Sequence, residues 1–584
     1  MNHTVSREGI FLMEYDMRKV FKTILLLMIC LFVLSGCSVY EAMIATDERA
    51  DLSDYFGVSD GEAAVFVNDE RCEGNAVIRG ENCYISMDLV RLALDKRFYW
   101  DGLDDRLLFT NAKKIYEESI SDSSMAVVLE EQLYLSLACL EKYLDIQITA
   151  YQDPDRIYIE TAGKEICQVP VGKDTQVRVL GGFKSAILTE VSSGDQVQVI
   201  TEHSKWAQVR TEDGFVGYML VSCLKMDEED TVTIASVLDD PEYTSIRRDE
   251  PVCLAWHDME NTSGNRQFDS LTADTRGINV ISPAWFALTD NEGTYRNLSS
   301  GDYVRKAHEK GMEVWILIDD FSDNMSIGQV LGKNSVRQKL VENLISDVQA
   351  VNADGINVDF EYITDSCGVD FIQFLRELSI RCREEGLVLS VDNANPTFVK
   401  YCYDMREQGR LADYVVLMGY DEHWQGSEAG SVASLPFVEN GILAALEMVP
   451  EEKIISGLPF YSRVWTEVPE EFAASGAEVR EDGNSEYGRY SLDSIALSMD
   501  EVAALVKKAG VEPEWDDDIG QYYVEIPLEH GKQRIWMEDV RSLEAKLDVV
   551  SKYSVAGVAF WRIGMDNNAV WDSISEYLAK QAAN

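Results

Sequence analysis

The sequence predicts an α/β protein whose largest part is a barrel of parallel strands. Two observations predict it: strands and helices alternate beyond residue 250, and the stretch DGINVDFE at 354–361 is typical of a strand that ends in acids. Alternate side chains of a strand share a face, so Asn357, Asp359 and Glu361 point to the same side. Acids at the C-terminal end of a covered parallel strand are the expected active-site geometry of such a barrel. The competing interpretation is a half-buried edge strand with solvated acids.

Eight strands follow one another in this region, and helices with one apolar face lie between them. The helix before 354–361 is predicted from apolar residues at steps of four, Val336, Leu340, Leu344 and Val348, behind a cap at Asn334 or Ser335. A (β/α)8 TIM barrel is therefore predicted over residues 250–580. The predicted strands are 252–256, 277–285, 313–318, 355–360, 387–391, 413–418, 453–457 and 555–561.

The longest gap in this pattern, about 466–535, separates strands seven and eight. It is too long for an ordinary loop, so we expect an inserted α+β subdomain there.

Two smaller domains are predicted before the barrel. Residues 61–165 contain a repeat at an offset of 50, in which Tyr84 and Ser86 recur as Tyr134 and Ser136, and each copy predicts strand, helix, strand. Residues 172–226 contain short β-rich runs separated by turns, which predicts a small β-barrel. Its Trp206 is either a core residue or a ligand platform.

The N-terminal 37 residues have the features of an export signal. A basic segment from Met17 to Lys22 precedes an apolar run and then Leu-Ser-Gly-Cys, which resembles a bacterial lipobox with lipidation at Cys37. The predicted location is the outer face of the bacterial cytoplasmic membrane, in contact with the cell wall. An uncleaved anchor is the alternative, and translation from Met17 rather than Met1 is a second one. Residues 38–60 are acidic and predict a tether.

Composition excludes two classes of protein. The formal charge of −50 argues against binding nucleic acid, whose phosphates would be repelled. Nine of the eleven cysteines follow residue 37, an odd number without a C-x-x-C pair, which is typical neither of a disulfide scaffold nor of a zinc site. We predict no metal and no cofactor, and only Cys72 and Cys83 are placed to pair.

The stretch 354–361 resembles the DGxDxDxE signature of glycoside hydrolase family 18, the chitinase and N-acetylglucosaminidase family. Asp354, Gly355, Asp359 and Glu361 match, and Asn357 stands where the signature has Asp. The similarity is greatest to spore-cortex and cell-wall lysins with wall-associated modules. Residues 61–165 resemble the stalk domain named after the N-terminus of copper amine oxidases, and 172–226 resemble bacterial Src-homology-3-like domains that bind the cell wall.

The resemblance implies a role for each matching residue. Glu361 is implied as general acid and then base, and Asp359 as the residue that orients the substrate's acetamido group. Position 357 shares a proton with the central acid when it is Asp, which Asn cannot do. In the MGYD motif at 418–421, Tyr420 and Asp421 are implied to hold the acetamido group, and Met418 to line the site. Trp561 is implied as the floor of the cleaved sugar's subsite. Three further aromatic residues at strand ends are expected to line the groove: Trp256, Trp285 and Tyr461.

Two hypotheses follow. The first is a surface-anchored retaining hydrolase of β-1,4-linked N-acetylglucosamine glycans in peptidoglycan, spore cortex or chitin, in which the substrate's own acetamido oxygen is the nucleophile. The second is a non-catalytic glycan-binding protein on the same barrel. Lectin-like members typically lack the catalytic Glu, so the presence of Glu361 favours the enzyme.

Overall fold

The computed structural model describes residues 45–121, 124–398, 401–481 and 483–582. These residues form two compact units. The first contains the described residues up to Lys96 together with Ile120–Asp240, and the second contains Arg97–Ser119 and the described residues from Pro241 onward. The predicted leader with its lipidated Cys37 lies outside the described residues.

One part of the first unit is a seven-stranded sheet with two helices. Ser86 and Ser136 each accept the backbone N–H of the residue three positions on, and so begin the helices Met87–Ala93 and Leu137–Tyr143. The predicted repeat is thus visible as two capped strand-helix segments. The strands, in their order across the sheet, are Ala126–Leu129, Gln132–Ser136, Asn82–Ser86, Glu70–Arg79, Glu62–Val67, Arg156–Thr161 and Ile146–Tyr151.

The other part of the first unit is a small domain of antiparallel strands around an apolar core that includes Val177, Val209 and Met219. The predicted small β-rich domain is therefore present. Trp206 is half-buried, and its ring lies edge-on to Phe183 at 5.3 Å between centroids. The strands in order are Ile187–Val191, Thr175–Arg178, Val216–Leu220, Trp206–Thr211, Gln196–Glu202, Glu165–Pro170 and Asp230–Thr233.

The second unit is built on a closed barrel of eight parallel strands. Each strand pairs with its neighbours in chain order, the eighth pairs with the first, and the pairing of the second with the third completes the ring. The predicted barrel is confirmed, with small differences in strand bounds. The strands are Val252–His257, Val280–Pro283, Glu313–Asp319, Gly355–Asp359, Val388–Ala394, Tyr414–Met418, Ile454–Pro459 and Gly557–Trp561.

Helices cover the outside of the barrel and bury one apolar face each. The predicted stripe from Val336 to Val348 is buried, because its members recur about once per helical turn. A short hairpin, Phe286–Leu288 and Tyr295–Asn297, follows the second barrel strand. The helices are Phe268–Leu271, Gly301–Glu309, Ile327–Leu331, Asn334–Val351, Gly368–Glu385, Met405–Leu411, Leu435–Leu446, Val540–Val550 and Val570–Gln581.

The start of the helix Asn334–Val351 differs from the prediction. Neither Asn334 nor Ser335 caps it with a side chain; instead their backbone N–H groups donate to the carboxylates of Asp101 and Asp104. These acids belong to a three-stranded sheet of the second unit, formed by Phe98–Asp101, Arg106–Thr110 and Ile115–Ser119. Carboxylates stabilise a helix N-terminus by accepting its unpaired N–H groups and by meeting the positive end of its dipole.

A buried ion pair joins this helix to the next one. The Nε atom of Arg337 lies 3.1 Å from Glu377 Oε1, both side chains are buried, and the Arg337 guanidinium also donates to the Tyr99 hydroxyl at 3.1 Å. We expect Arg337→Met to lower the free energy of unfolding by about 3–5 kcal/mol, because it leaves the Glu377 carboxylate buried without a cation. Urea denaturation checks this, with exposed Arg305→Met as the matched control. Equal midpoints for Arg337→Met and wild type would contradict it.

The predicted insertion between strands seven and eight is an α+β subdomain. A five-stranded antiparallel sheet carries the helix Met499–Ala509, which begins with a capping box between Ser498 and Glu501. The strands in order are Tyr490–Ser498, Tyr461–Pro469, Gly531–Met537, Gln521–Leu528 and Glu514–Asp516.

Two further observations concern the described residues. No helix among them is long and apolar enough to cross a membrane. Cys72 and Cys83 are both free thiols, so the pairing that the sequence allowed is not formed.

Candidate active site

The acids singled out in the sequence meet at one rim of the barrel. Asp359 is the last residue of the fourth strand, Glu361 follows it, and Tyr420 and Asp421 follow the sixth strand. Trp561 ends the eighth strand. Because all eight strands are parallel, their C-terminal ends lie at the same rim, and these side chains are brought together.

Asn357 is the centre of a buried hydrogen-bond network inside the barrel. Its Oδ1 accepts from Trp256 Nε1 and from the Ser282 hydroxyl, both at 3.0 Å. Its Nδ2 donates to Ser390 Oγ at 3.0 Å and to Asp392 Oδ1 at 2.7 Å. All four hydrogen-bonding positions of the amide are therefore used, and its orientation is determined by its partners.

Asp359 is a buried carboxyl group among other acids. Only 3% of its surface is exposed, and its Oδ1 has no hydrogen-bond partner in the described protein. Burial raises the pKa of Asp359 well above its usual range, and the charges of Asp392, Glu361, Asp319 and Asp320 raise it further. The hydrogen-bonding capacity of this oxygen is therefore unused in the described protein.

Glu361 is exposed at the rim, and its backbone is held by an acid from the neighbouring strand. Asp320 accepts the backbone N–H of Glu361 at 2.9 Å and that of Tyr362 at 3.1 Å. Burial raises the pKa of Asp320 to about 6, against the effect of these two hydrogen bonds. Sequence reasoning missed Asp320, although an acid pair directly after an apolar strand was a usable signal.

Three aromatic rings form a cluster beside the carboxyl groups. The Trp256 ring centre lies 6.3 Å from Tyr420 and 5.8 Å from Trp561, and the last two are 6.4 Å apart. Burial raises the pKa of the Tyr420 hydroxyl well above its usual range, and the next largest contributions are the charges of Asp359 and Asp392. Tyr420 therefore remains a hydrogen-bond donor at neutral pH, next to the carboxyl groups.

Asp421 is held by two residues of the inserted subdomain's first strand. The Tyr461 hydroxyl donates to Asp421 Oδ1 at 2.6 Å, and Arg463 lies 3.5 Å from the same oxygen. The Asp421 backbone has a φ of 57°, in the left-handed region, and half of its side chain is exposed. Sequence reasoning predicted Tyr461 but missed Arg463, whose role depends on the strand that follows the barrel.

The residues expected to line the groove differ in how far they are buried. Met418 is half-buried at the end of the sixth strand, while Trp256 is buried and supports Asn357 rather than forming a surface. The interpretation of Trp285 was wrong: its ring is fully buried, donates to Asn265 at 2.8 Å and packs edge-on against Tyr303. It is a packing residue with no surface to offer a ligand.

Asp354, the first acid of the signature, lies at the opposite end of its strand. Its Oδ2 accepts the backbone N–H of Val314 at 2.8 Å and lies 2.8 Å from His308 Nε2. It stabilises the start of the fourth strand, at the end of the barrel opposite the rim that carries Asp359 and Glu361. No group of three or more His, Cys, Asp or Glu in the described part of the chain is arranged to hold a metal ion.

Comparisons with known proteins agree with this geometry. A model of "Glycosyl hydrolases family 18" matches residues 254–566, and a model of "Bacterial SH3 domain" matches 173–225, which confirms the prediction for the small β-barrel. The "Uncharacterized glycosylase YvbX" of Bacillus subtilis is 22% identical over 54% of this chain and 88% of its own length. The "Cortical fragment-lytic enzyme" of the same organism is 25% identical over 44% of this chain and 57% of its own length.

A solved structure is also similar. The spore cortex-lytic enzyme SleL of Bacillus megaterium QM B1551 shares 20% identity, with a TM-score of 0.47, over 59% of this chain and 77% of that chain. The family model itself spans more than half of the 584 residues and includes every barrel-rim residue described above. The chain therefore belongs to glycosyl hydrolases family 18.

Proposed function

We propose that this protein is a surface-anchored retaining glycosidase that cleaves β-1,4-linked N-acetylglucosamine glycans by substrate-assisted catalysis. The observation that carries the proposal is the pairing of the buried carboxyl of Asp359 with the exposed carboxyl of Glu361 at the barrel rim. The two residues share a strand face and act on each other electrostatically. This is the arrangement that a two-step reaction needs.

In the first step Glu361 donates its proton to the glycosidic oxygen, and the bond from that oxygen to C1 breaks. The acetamido carbonyl oxygen of the same sugar bonds to C1, which gives an oxazolinium ion. In the second step Glu361 takes a proton from water, and the resulting hydroxide attacks C1 and opens the oxazolinium ring. Two displacements at C1 retain its configuration.

Asp359 and Tyr420 are the residues proposed to hold the acetamido group. The unpartnered Asp359 Oδ1 accepts the acetamido N–H and stabilises the positive charge as it develops. The Tyr420 hydroxyl donates to the acetamido oxygen. Asp421, the next residue of the same loop, is proposed to help hold the acetamido group. The half-buried ring of Trp561 supports the apolar face of the sugar.

The proposed substrate is peptidoglycan or spore cortex rather than chitin. The bacterial SH3 domain supports a wall location, since we propose that it binds wall peptide or glycan. The printed name of the Cortical fragment-lytic enzyme also favours this class. The repeat domain at 61–165, apart from Arg97–Ser119, which belongs to the second unit, is proposed to be a stalk of the copper-amine-oxidase-N type. The test is to incubate the chain from residue 38 with peptidoglycan and with chitin oligomers and to determine product masses.

A non-catalytic glycan-binding protein is the second candidate. The rings of Tyr420 and Trp561 would suit sugar binding without cleavage. Binding of the glycan with no change in its mass, over a range of pH, would favour this candidate. The presence of Glu361 beside a buried Asp359 favours cleavage.

The lipid anchor gives a separate prediction. Cys37→Ala is expected to release the protein from the membrane or leave its leader uncleaved, because the lipid would be attached to the Cys37 sulfur. Partitioning between detergent and water measures this. Cys30→Ala, in the apolar run, is the matched control and should partition as wild type does. Identical partitioning of Cys37→Ala and wild type would reject the anchor.

A further inference from the structure

The amide at position 357 cannot do what a carboxyl group would do there. The indole N–H of Trp256 only donates, so the Asn357 atom facing it must be the oxygen, and Nδ2 must face Asp392. The Ser282 and Ser390 hydroxyls complete the four contacts. Asn357 therefore has no hydrogen-bonding capacity left for Asp359, its neighbour on the same strand face. It also holds no exchangeable acid proton.

A second carboxyl group is nevertheless present, on the next strand. Asp392 is buried with 2% of its surface exposed, and the register of the fourth and fifth strands, in which Val358 lies opposite Val391, places it beside Asp359. It is also the charged neighbour with the largest effect on Asp359. The other strong neighbours, Glu361, Asp319 and Asp320, are also acids. Across the described residues, neither Asp359 nor Asp392 forms an ion pair with a lysine or an arginine. Two buried carboxyl groups without a cation do not both ionise readily.

We propose that Asp392 is a positioning residue that supplies, from the fifth strand, the second carboxyl group missing from position 357, and that Asp359 and Asp392 share one proton. This proposal rests on the proposed function. In the form of the family with Asp at position 357, the two carboxyl groups that share a proton lie on one strand. In this chain, with Asn357, the second carboxyl group comes from Asp392 on the neighbouring strand.

The surroundings indicate where the proton resides. Burial raises the pKa of both groups; the charge of Asp392 raises the pKa of Asp359 further, and the charge of Glu361 raises the pKa of both. Hydrogen bonds from Asn357 and Trp256 oppose the rise at Asp392 alone. In the resting site the negative charge is therefore on Asp392 and the proton on Asp359.

The charge distribution reverses during the reaction. When the oxazolinium carries its positive charge beside Asp359, the ionised form of Asp359 is favoured, and the proton passes to Asp392. The pair keeps one proton and one negative charge throughout, and no other reactant is needed. The other titratable groups that face the pair are Glu361, Asp319, Asp320 and the Tyr420 hydroxyl.

Kinetics of two variants test the proposal. Asp392→Asn is expected to lower kcat by at least about tenfold, the equivalent of one pKa unit, with KM changed less than about threefold. The double variant Asn357→Asp/Asp392→Asn returns a carboxyl group to the fourth strand, and its kcat should recover to within about threefold of wild type. A residue needed only for packing would not be rescued in this way.

The pH dependence of stability is a readout that does not require activity. The pKa values of both groups are higher in the folded protein than in the unfolded chain. At a pH between the unfolded and the folded values, the folded protein binds more protons than the unfolded chain, so its stability falls as the pH rises through this window. Asp392→Asn should remove up to about one proton from the difference, so the free energy of unfolding should fall less steeply between about pH 5 and pH 7. Exposed Asp323→Asn is the control and should leave the slope unchanged.

The outcomes separate the two proposals. A folded Asp392→Asn variant with wild-type kcat and wild-type slope overturns the shared proton, and so does a folded double variant no faster than Asp392→Asn. If the wild type cleaves no N-acetylated glycan, the proposed function fails, and the slope alone then decides whether the pair shares a proton. A shallower slope supports it, and an unchanged slope overturns it.

Discussion

Glu361→Gln is expected to lower kcat about 10²–10⁴-fold on every N-acetylated glycan that the wild type cleaves. Glutamine keeps the shape and hydrogen bonding of the side chain but has no proton to give to the leaving oxygen. The backbone at this position is held by Asp320 and does not depend on the Glu361 carboxyl, so the rim should stay intact. Steady-state hydrolysis of a chitin oligomer or a peptidoglycan fragment measures the effect.

The matched control is Glu260→Gln, which removes one exposed acid from the loop after the first barrel strand. It should keep wild-type turnover. Glycan affinity of Glu361→Gln, measured by calorimetry, should stay near the wild-type value. Wild-type turnover in Glu361→Gln would mean that the acid is another residue, and the assignment of this strand would be wrong.

Asp359→Asn is expected to lower kcat about 10²–10³-fold, a loss typical of removing one electrostatic contact to a charged transition state. A neutral amide supports the positive charge of the oxazolinium poorly, although its oxygen can still accept the acetamido N–H. The loss should appear in kcat more than in KM, because the charge exists only after bond cleavage begins.

Asp323→Asn, an exposed acid after the third barrel strand, is the control for the change in charge and should be near wild type. Asp359→Asn also removes a buried carboxyl group whose pKa is raised. When the pH rises above the pKa of ordinary carboxyl groups, the variant should therefore lose less stability than the wild type. An unchanged kcat with a folded protein would exclude Asp359 from the reaction.

The barrel was predictable because its signals are repetitive. Eight apolar segments in order, and helices with apolar residues once per turn, identify strands and helices without knowledge of tertiary contacts. The acids at the end of the fourth strand follow from alternation within one segment. Glu361 and Asp359 lie where this alternation places them, at the C-terminal end of a parallel strand.

The network around these acids was not predictable to the same degree, because it depends on the register between strands. Asn357 lies opposite Ser390, and Asp392 follows two residues later on the same face of the fifth strand. Alternation of Ser390, Val391 and Asp392 was a signal that could have found the second carboxyl group. Without the register, however, nothing identified which acid on another strand it would meet.

Trp285 shows where alternation fails. The predicted strand ran to 285, but the observed one ends at Pro283, and a separate short strand begins at Phe286. The direction of the Trp285 side chain is therefore set by the bend between these strands, and the ring enters the packing around Tyr303. In the same way, the cap of the helix Asn334–Val351 comes from Asp101 and Asp104, more than 200 residues earlier in the chain.

The most direct test of the central claim is the configuration of the first product. Hydrolysis of a β-1,4-linked N-acetylglucosamine oligomer, followed by proton NMR faster than mutarotation, shows which anomer forms at the new reducing end. Substrate-assisted catalysis by Asp359 and Glu361 predicts that the β anomer appears first and later equilibrates with α. Initial release of the α anomer, or cleavage at equal rates of an oligomer that lacks the N-acetyl groups, would contradict the account.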